Sequence, residues 1–255
     1  MRFRLPYGRH REVTLEVPNE NAYFVVDRGE TPALKNLGET TKRALRNPVG
    51  TSPLSEMVHR GDRVVVVGDD ITRPTPQKAI VPVLLDELNA VGIPDGDIEL
   101  VVALGTHREM SERELKEKYG AEVVERVSVK NHNHKDPEGL VNLGKTGAGI
   151  PITLNRDVFE ADFVVGVGNI IPHCYTGWGG GGKIIQPGVC GEEITASTHL
   201  MAGKFRPISK LAGDVNHPVR RMVDAVALKA GLNLIVNTVL NRDEEVSRLV
   251  VGHPV

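Results

Sequence analysis

The chain has little cysteine, few aromatics, no excess of charge and no long apolar run. Only Cys174 and Cys190 occur among its 255 residues. They form no CxxC pair, and no further thiols exist to build a cysteine cluster or zinc site. Two free thiols in a reducing compartment are expected. Thirty-one basic side chains against thirty-three acidic ones leave a formal net charge of −2. That balance argues against a basic nucleic-acid binder and against an acidic disordered tail. No apolar run reaches the roughly 18–20 residues that span a bilayer. The opening MRFRLPYGRHREVTLEV carries charges where a secretion signal needs an apolar stretch. The expectation is a cytoplasmic protein with neither membrane nor nucleic-acid partner. Hydrophobic residues at 40%, charged at 25% and aromatic at 4% otherwise make an ordinary globular composition.

Glycine and proline, by contrast, are plentiful: 27 and 16 residues. Many sit at the ends of apolar runs, where an α/β protein places its working loops. The alternation over Met1–Leu5 and Val13–Val17 predicts a hairpin turning at Tyr7–Arg9. Helical character is expected over Pro32–Arg46, Pro53–His59, Thr75–Val91 (with Pro76 in the first turn), Ser111–Tyr119, Glu192–Ala202 and Pro218–Lys229. Strands are expected at Asp62–Val67, Asp97–Leu104, Val127–Lys130, Ile150–Leu154, Asp162–Val167, Leu232–Leu240 and Val246–Val251. Such alternation predicts an α/β fold: a mostly parallel, Rossmann-like sheet with helices on both faces. The active site is then expected at the carboxyl ends of the strands. The chain stops after strand-like RLVVG with no closing helix, which suggests a domain excised from something longer.

Three buried runs end in unusual residues: DDITRPTP (Asp69–Pro76), GTHRE (Gly105–Glu109) and GNIIPHCYTGWGGGGKIIQPG (Gly168–Gly188). One such coincidence would mean little. Three on one sheet edge favour an active site. Asp70 and Arg73 have two readings. Asp70 caps the next helix and pairs with Arg73, or it holds an arginine whose planar fork clamps a carboxylate. His107 follows a Gly-Thr that permits a tight turn, and is either structural or an acid/base group. His173 follows a stiffening proline and offers a second imidazole. Two imidazoles on opposite faces of one carbon suit a reaction that must treat both enantiomers.

Gly177–Lys183 satisfies GxxxxGK, but Ile184 stands where a phosphate-binding loop needs Ser or Thr, and Pro187 opposes the required helix. GVGNII (Gly166–Ile171) likewise fails GxGxxG at its last position, so neither a nucleotide-hydrolysing site nor a nicotinamide dehydrogenase is supported. What remains is a backbone, Gly179, Gly180, Gly181 and Gly182, able to approach a bulky or phosphorylated group closely. Lys183 at its end is a natural covalent tether for a cofactor. His199 lies on a helix without an HxxxH or HxH neighbour, and reads as a helix histidine or a lone metal ligand. NHNHKD (Asn131–Asp136) contains an HxH in a polar loop, with incidental metal affinity. His10, His59, His217 and His253 have no comparable context.

DDITRPTP, GTHRE, PHCYTGWGGGGKIIQPGV and STHL together resemble the nickel-dependent lactate racemase family in its N-terminal catalytic domain. Weaker similarity runs through Asn131–Arg156 and Asn216–Asn241, so the likeness extends from about Arg63 to near the end. The resemblance implies that residues 1–255 are that catalytic domain, without the family's usual second α/β domain. It implies a racemase or epimerase of a 2-hydroxy acid. It also implies a nickel pincer nucleotide, derived from pyridinium dicarboxylate nucleotide and attached through a thioamide to Lys183, with Gly179–Gly182 beside it. His199 then matches the nickel-binding histidine, His107 and His173 the acid/base pair, and Asp70 and Arg73 the substrate-contacting element. The implied partners are a small 2-hydroxy acid and the enzymes that build the cofactor, without which a recombinant preparation would be apo. The rival reading is a non-catalytic module that binds a phosphorylated ligand or cofactor through the glycine run.

Overall fold

The computed structural model describes residues 1–7, 11–26, 29–205, 207 and 210–255. They fall into two compact units, Met1–Thr31 and Pro32–Val255. In the first, β1 (Arg2–Pro6) pairs antiparallel with β2 (Glu12–Glu16), in the register Arg2↔Glu16 to Pro6↔Glu12. This is the expected hairpin, although its turn residues Gly8 and Arg9, and His10 beside them, lie outside the described residues.

The second unit runs α1 (Leu37–Arg46), α2 (Leu54–Met57), β3 (Val64–Asp69), α3 (Gln77–Ala90), β4 (Ile98–Ala103), α4 (Glu112–Tyr119), α5 (Ala121–Arg126) and β5 (Ser128–Asn131). It continues through β6 (Leu140–Lys145), β7 (Pro151–Asn155), α6 (Arg156–Phe159), β8 (Phe163–Asn169), β9 (Pro172–His173) and β10 (Gly177–Trp178). It ends with α7 (Glu192–Ala202), α8 (Pro218–Lys229), β11 (Leu232–Leu240) and β12 (Val246–Gly252).

Six strands form the main sheet in the order β12-β11-β8-β3-β4-β5. All neighbours are parallel except β12, which runs antiparallel to β11. Counted in chain order, this is the 3-2-1-4-5-6 order of a doubly wound Rossmann sheet. Both faces are covered, which explains why the central strands read as continuous apolar runs. Val64 and Val66 of β3 enter a core with α1 to α5, containing Leu45, Leu84 and Leu115. Val65 and Val67 enter the opposite core with Leu154, Ile185, Ile194 and Val226. Strand order reverses between β3 and β8, and the crevice of such a fold opens outside the carboxyl ends of these two strands.

Several expectations need adjusting. Helix α1 starts at Leu37, not Pro32, because the Asn36 side chain accepts from Glu39 N and caps it there. Pro76 lies just before α3 as its N-cap residue, while a second proline, Pro82, sits inside that helix. The strand expected at Ile150–Leu154 is not in the main sheet: β7 pairs antiparallel with β6, which sequence periodicity missed. The glycine-rich stretch is more than loop. It contains the short β9–β10 ladder and a 3-10 turn at Gly181–Ile184. It is pressed onto the sheet, since a Cβ on Gly166 would stand 2.5 Å from Ile184 Cγ2.

Candidate active site

A cleft of about 870 Å³, counting space open to solvent, lies at the carboxyl edge of β3, β4 and β8. It gathers Asp70, Arg73, His107, His173, Lys183 and His199 from five separate segments. Gly179 and Gly180 also line it. Gly181 and Gly182 do not. Their backbones pack against α8, where a Cβ would stand 2.7 Å from Arg220 Nη2 and 2.8 Å from Ala227 Cβ respectively.

Asp70 follows the end of β3 and is buried. Its Oδ1 accepts from Thr72 N (3.1 Å) and Thr72 Oγ1 (2.6 Å), which closes a local turn. Its Oδ2 lies 2.6 Å from His107 Nδ1. A carboxylate at Nδ1 selects the tautomer with the proton there, so His107 Nε2 presents its lone pair. Gly105 makes this placement possible. Its φ of 57° turns the chain after β4, and His107 N donates to Leu104 O at 2.9 Å. Asp70 therefore does not cap α3, which has no side-chain cap. Its tie to Arg73 is through main chain, Arg73 N to Asp70 O at 3.1 Å. Among the described residues the half-buried Arg73 guanidinium has no hydrogen-bond or ion-pair partner, leaving its donor fork available to a ligand.

His173 faces the cleft from β9. Its Nδ1 accepts from Tyr175 N (3.2 Å) and Thr176 N (3.4 Å), so in the neutral ring Nε2 carries the proton. Burial, reinforced by the cations Lys183 and Arg73, pushes its pKa from the usual 6.5 down to about 4. The ring of Tyr175 stands edge-on between the two histidines, 5.6 Å from His173 and 5.0 Å from His199.

His199 lies on α7 and its Nδ1 sits 2.7 Å from Thr195 O. A carbonyl only accepts, so Nδ1 donates and Nε2 keeps its lone pair. That backbone-anchored tautomer is the one in which metal-ligating histidines are held. Lys183 follows the glycines in a 3-10 turn, and no α-helix opens there. Lys183 is half-buried, and its amine has no hydrogen-bond or ion-pair partner among the described residues. Burial first, then the cation Arg73, lowers its pKa to about 8. An amine of that kind is a nucleophile near neutral pH.

The HxH of the polar loop is accounted for otherwise. His132 is buried, with Nε2 3.0 Å from Cys190 O and Nδ1 3.4 Å from Asn155 Nδ2. No cluster of three or more His, Cys, Asp or Glu able to hold a metal occurs among the described residues. His217, set aside on sequence, caps α8 by accepting from Arg220 N at 3.2 Å. Sequence reasoning also passed over Asp69 and Lys118, a buried pair 3.0 Å apart behind the Asp70–Arg73 segment. Asp69 opens the DDITRPTP motif but was given no role of its own, and Lys118 reads as one more charge on a polar helix. No helix among the described residues is long and apolar enough to cross a membrane.

The family model of the lactate racemase N-terminal domain matches residues 7–208. The chain is 29% identical over 252 residues to a lactate racemase of Thermoanaerobacterium thermosaccharolyticum, covering 98% of this chain and 58% of that protein. It is 30% identical over 246 residues to a lactate racemase of Lactiplantibacillus plantarum, covering 95% of this chain and 57% of that one. It thus spans less than three fifths of the curated relatives it matches. The lactate racemase apoprotein structure from T. thermosaccharolyticum superposes with a TM-score of 0.83 at 28% identity, covering 100% of this chain and 59% of that chain. A Thermotoga maritima crystal structure gives 0.71 at 27% identity, covering 86% of this chain and 55% of the other.

Proposed function

The chain belongs to the lactate racemase N-terminal domain family, and on that premise we propose that it is the catalytic domain of a 2-hydroxy acid racemase or epimerase, with lactate as the model substrate. The observation that carries this reading is the convergence of Arg73, His107, His173, Lys183 and His199 on one cleft. A simple binding module has no need of paired imidazoles beside a free guanidinium, and Gly181 and Gly182 pack closely against α8.

The residues fit a tethered nickel pincer nucleotide. Lys183 would carry it, because its half-buried amine, with a pKa of about 8, is partly free base at neutral pH. His199 would offer Nε2 to nickel, its ring fixed by Thr195 O. When bound, the cofactor would supply an acceptor for the α-hydrogen as hydride, a hydrogen too weakly acidic for direct deprotonation.

The remaining work falls to the chain. Arg73 takes the substrate carboxylate in its planar fork. His107 Nε2 takes the hydroxyl proton, and Asp70 stabilises the imidazolium that results. His173, on the other wall, acts in its imidazolium form: Nε2–H returns a proton to oxygen when the hydrogen comes back to the opposite face, which leaves the neutral ring. Its low pKa is set by burial and by Lys183 and Arg73. Acylation of Lys183 removes one of those cations, and a bound carboxylate offsets the other, so loading makes His173 more basic.

The test is intact mass, nickel content and chiral analysis of D- and L-lactate on the full-length protein produced alongside cofactor-building enzymes. A nickel-bearing adduct at Lys183 with racemisation is expected. An unmodified, metal-free chain would overturn the reading and leave the histidines as lining of a ligand pocket.

A further inference from the structure

Behind the cleft, the ammonium of Lys118 sits where α4 ends, with its side chain 6% exposed. It reaches three acceptors, all between the last residue of β3 and the start of α3: Asp69 Oδ1 at 3.0 Å, Arg73 O at 2.6 Å and Thr75 O at 3.1 Å. An ammonium has three protons, so its donors are all spent on one stretch of chain. Asp69 is tied to the same stretch. It accepts from Thr75 Oγ1 and from Gln77 Nε2, the latter at 3.0 Å. The next residue of α4, Tyr119, donates from its hydroxyl to Asp69 O at 2.8 Å. The fit is close: a Cβ on Gly68 would lie 2.6 Å from that hydroxyl oxygen. The segment from Asp69 to Gln77 is therefore wound around one buried cation.

We infer that Lys118 is a positioning residue for Arg73: by holding the main chain at Arg73 and Thr75, it fixes where the guanidinium is presented to the substrate carboxylate. The role in catalysis rests on the proposed function; the fixing of the segment does not. No side-chain group holds the Arg73 fork among the described residues, so its position is inherited from its backbone. A buried ion pair is a poor source of net stability, since desolvation offsets its attraction. A device that defines a single conformation is a better account of it.

Two measurements separate the possibilities. Amide hydrogen exchange on the chain itself reads the segment directly. Lys118→Met strands Asp69, so Asp69→Asn/Lys118→Met is measured beside it, with both charges removed. In each variant, exchange over 69–77 should accelerate about 10-fold or more, while peptides from β11 and α8 keep their wild-type rates. Wild-type exchange over 69–77 in the double variant would reduce Lys118 to a counter-ion for Asp69. Uniform acceleration everywhere would reduce it to a general stabiliser. Either result overturns the inference.

In the loaded full-length enzyme, KM for lactate should rise roughly 10- to 100-fold, with kcat falling less. The change should vanish in an Arg73→Ala background, whereas a merely structural defect would add to it. A wild-type enzyme that fails to racemise lactate would sink the functional reading and leave the exchange experiment to decide this one.

Discussion

His107 Nδ1 and Asp70 Oδ2 lie 2.6 Å apart, joining the ends of two adjacent parallel strands. The histidine side chain is 46% exposed and the aspartate side chain 4%. A buried carboxylate thus orients an accessible imidazole, the arrangement that supports a general base. Asp70→Asn should preserve the packing but weaken the tautomer preference and remove the charge that supports an imidazolium. The proposed racemase should lose kcat by roughly 10²- to 10⁴-fold, with little change in melting temperature. Rates in both directions by chiral chromatography would check this. Near wild-type kcat would leave Asp70 a turn residue only. His107→Ala and His173→Ala should each cost activity on the same scale.

Lys183 should be chemically distinguishable from the other lysines. With its pKa lowered from 10.5 to about 8, its free base grows roughly 10-fold between pH 7 and pH 9 and then levels off. An ordinary surface lysine is still gaining free base above that range. Competitive labelling with a small acylating reagent, read by peptide mass spectrometry, should show Lys183 saturating first. Lys183→Ala should also abolish the covalent cofactor proposed for this site. A mutant that still carried the adduct would remove the tether assignment.

The sheet was largely legible in the sequence because strands buried on both faces are written as unbroken runs such as RVVVV and DFVVGV. The residues crowding the cleft were legible for a related reason: loops at strand ends tolerate Gly, His and Arg that no core would. What escaped notice has a common cause. Strand β6 (LVNLGK) is half-exposed and weakly patterned, so its pairing with β7 is decided by tertiary contact. The glycines past Gly180 looked like a cradle, yet they serve close packing on α8, which only the backbone path reveals. At His199 and His173 the partners that set the tautomer are a main-chain carbonyl and main-chain amides, Thr195 O and Tyr175 N among them, and main-chain groups leave no signature in a sequence. Lys118 escaped for want of any pattern.

Acid should weaken the fold through His132. Burial lowers its pKa from 6.5 to about 4. The unfolded chain therefore takes up this proton first as pH falls. The contribution is fully present above about pH 6.5, is lost as pH drops toward 4, and is constant below that. The shift corresponds to a loss on the order of 3 kcal/mol. His173 is shifted in the same direction and adds to the slope. Urea midpoints between pH 7.5 and pH 4 should fall, and should fall less in His132→Gln, which cannot titrate. An identical slope in that variant would move the acid sensitivity elsewhere.

Gly181 tests whether the glycine run is a ligand cradle or a packing surface. Its φ is 56°, and a Cβ there would come 2.7 Å from Arg220 Nη2 and 2.9 Å from Pro254 O. Arg220 cannot retreat freely, because its Nε donates to Asp224 Oδ2 at 2.9 Å and its Nη1 to Trp178 O at 3.1 Å. Gly181→Ala should therefore destabilise the chain by about 1–3 kcal/mol, through left-handed strain and overpacking, with no ligand present. Thermal unfolding of the cofactor-free protein measures this. Gly179 lines the cleft, and its added Cβ would meet Ile171 Cγ2 at 3.1 Å and Asn169 O at 3.2 Å. Its alanine variant should cost less stability than Gly181→Ala and act chiefly on cofactor loading. If Gly181→Ala melts like the wild type but fails to load, the run is a cradle throughout and the packing account of Gly181 is wrong.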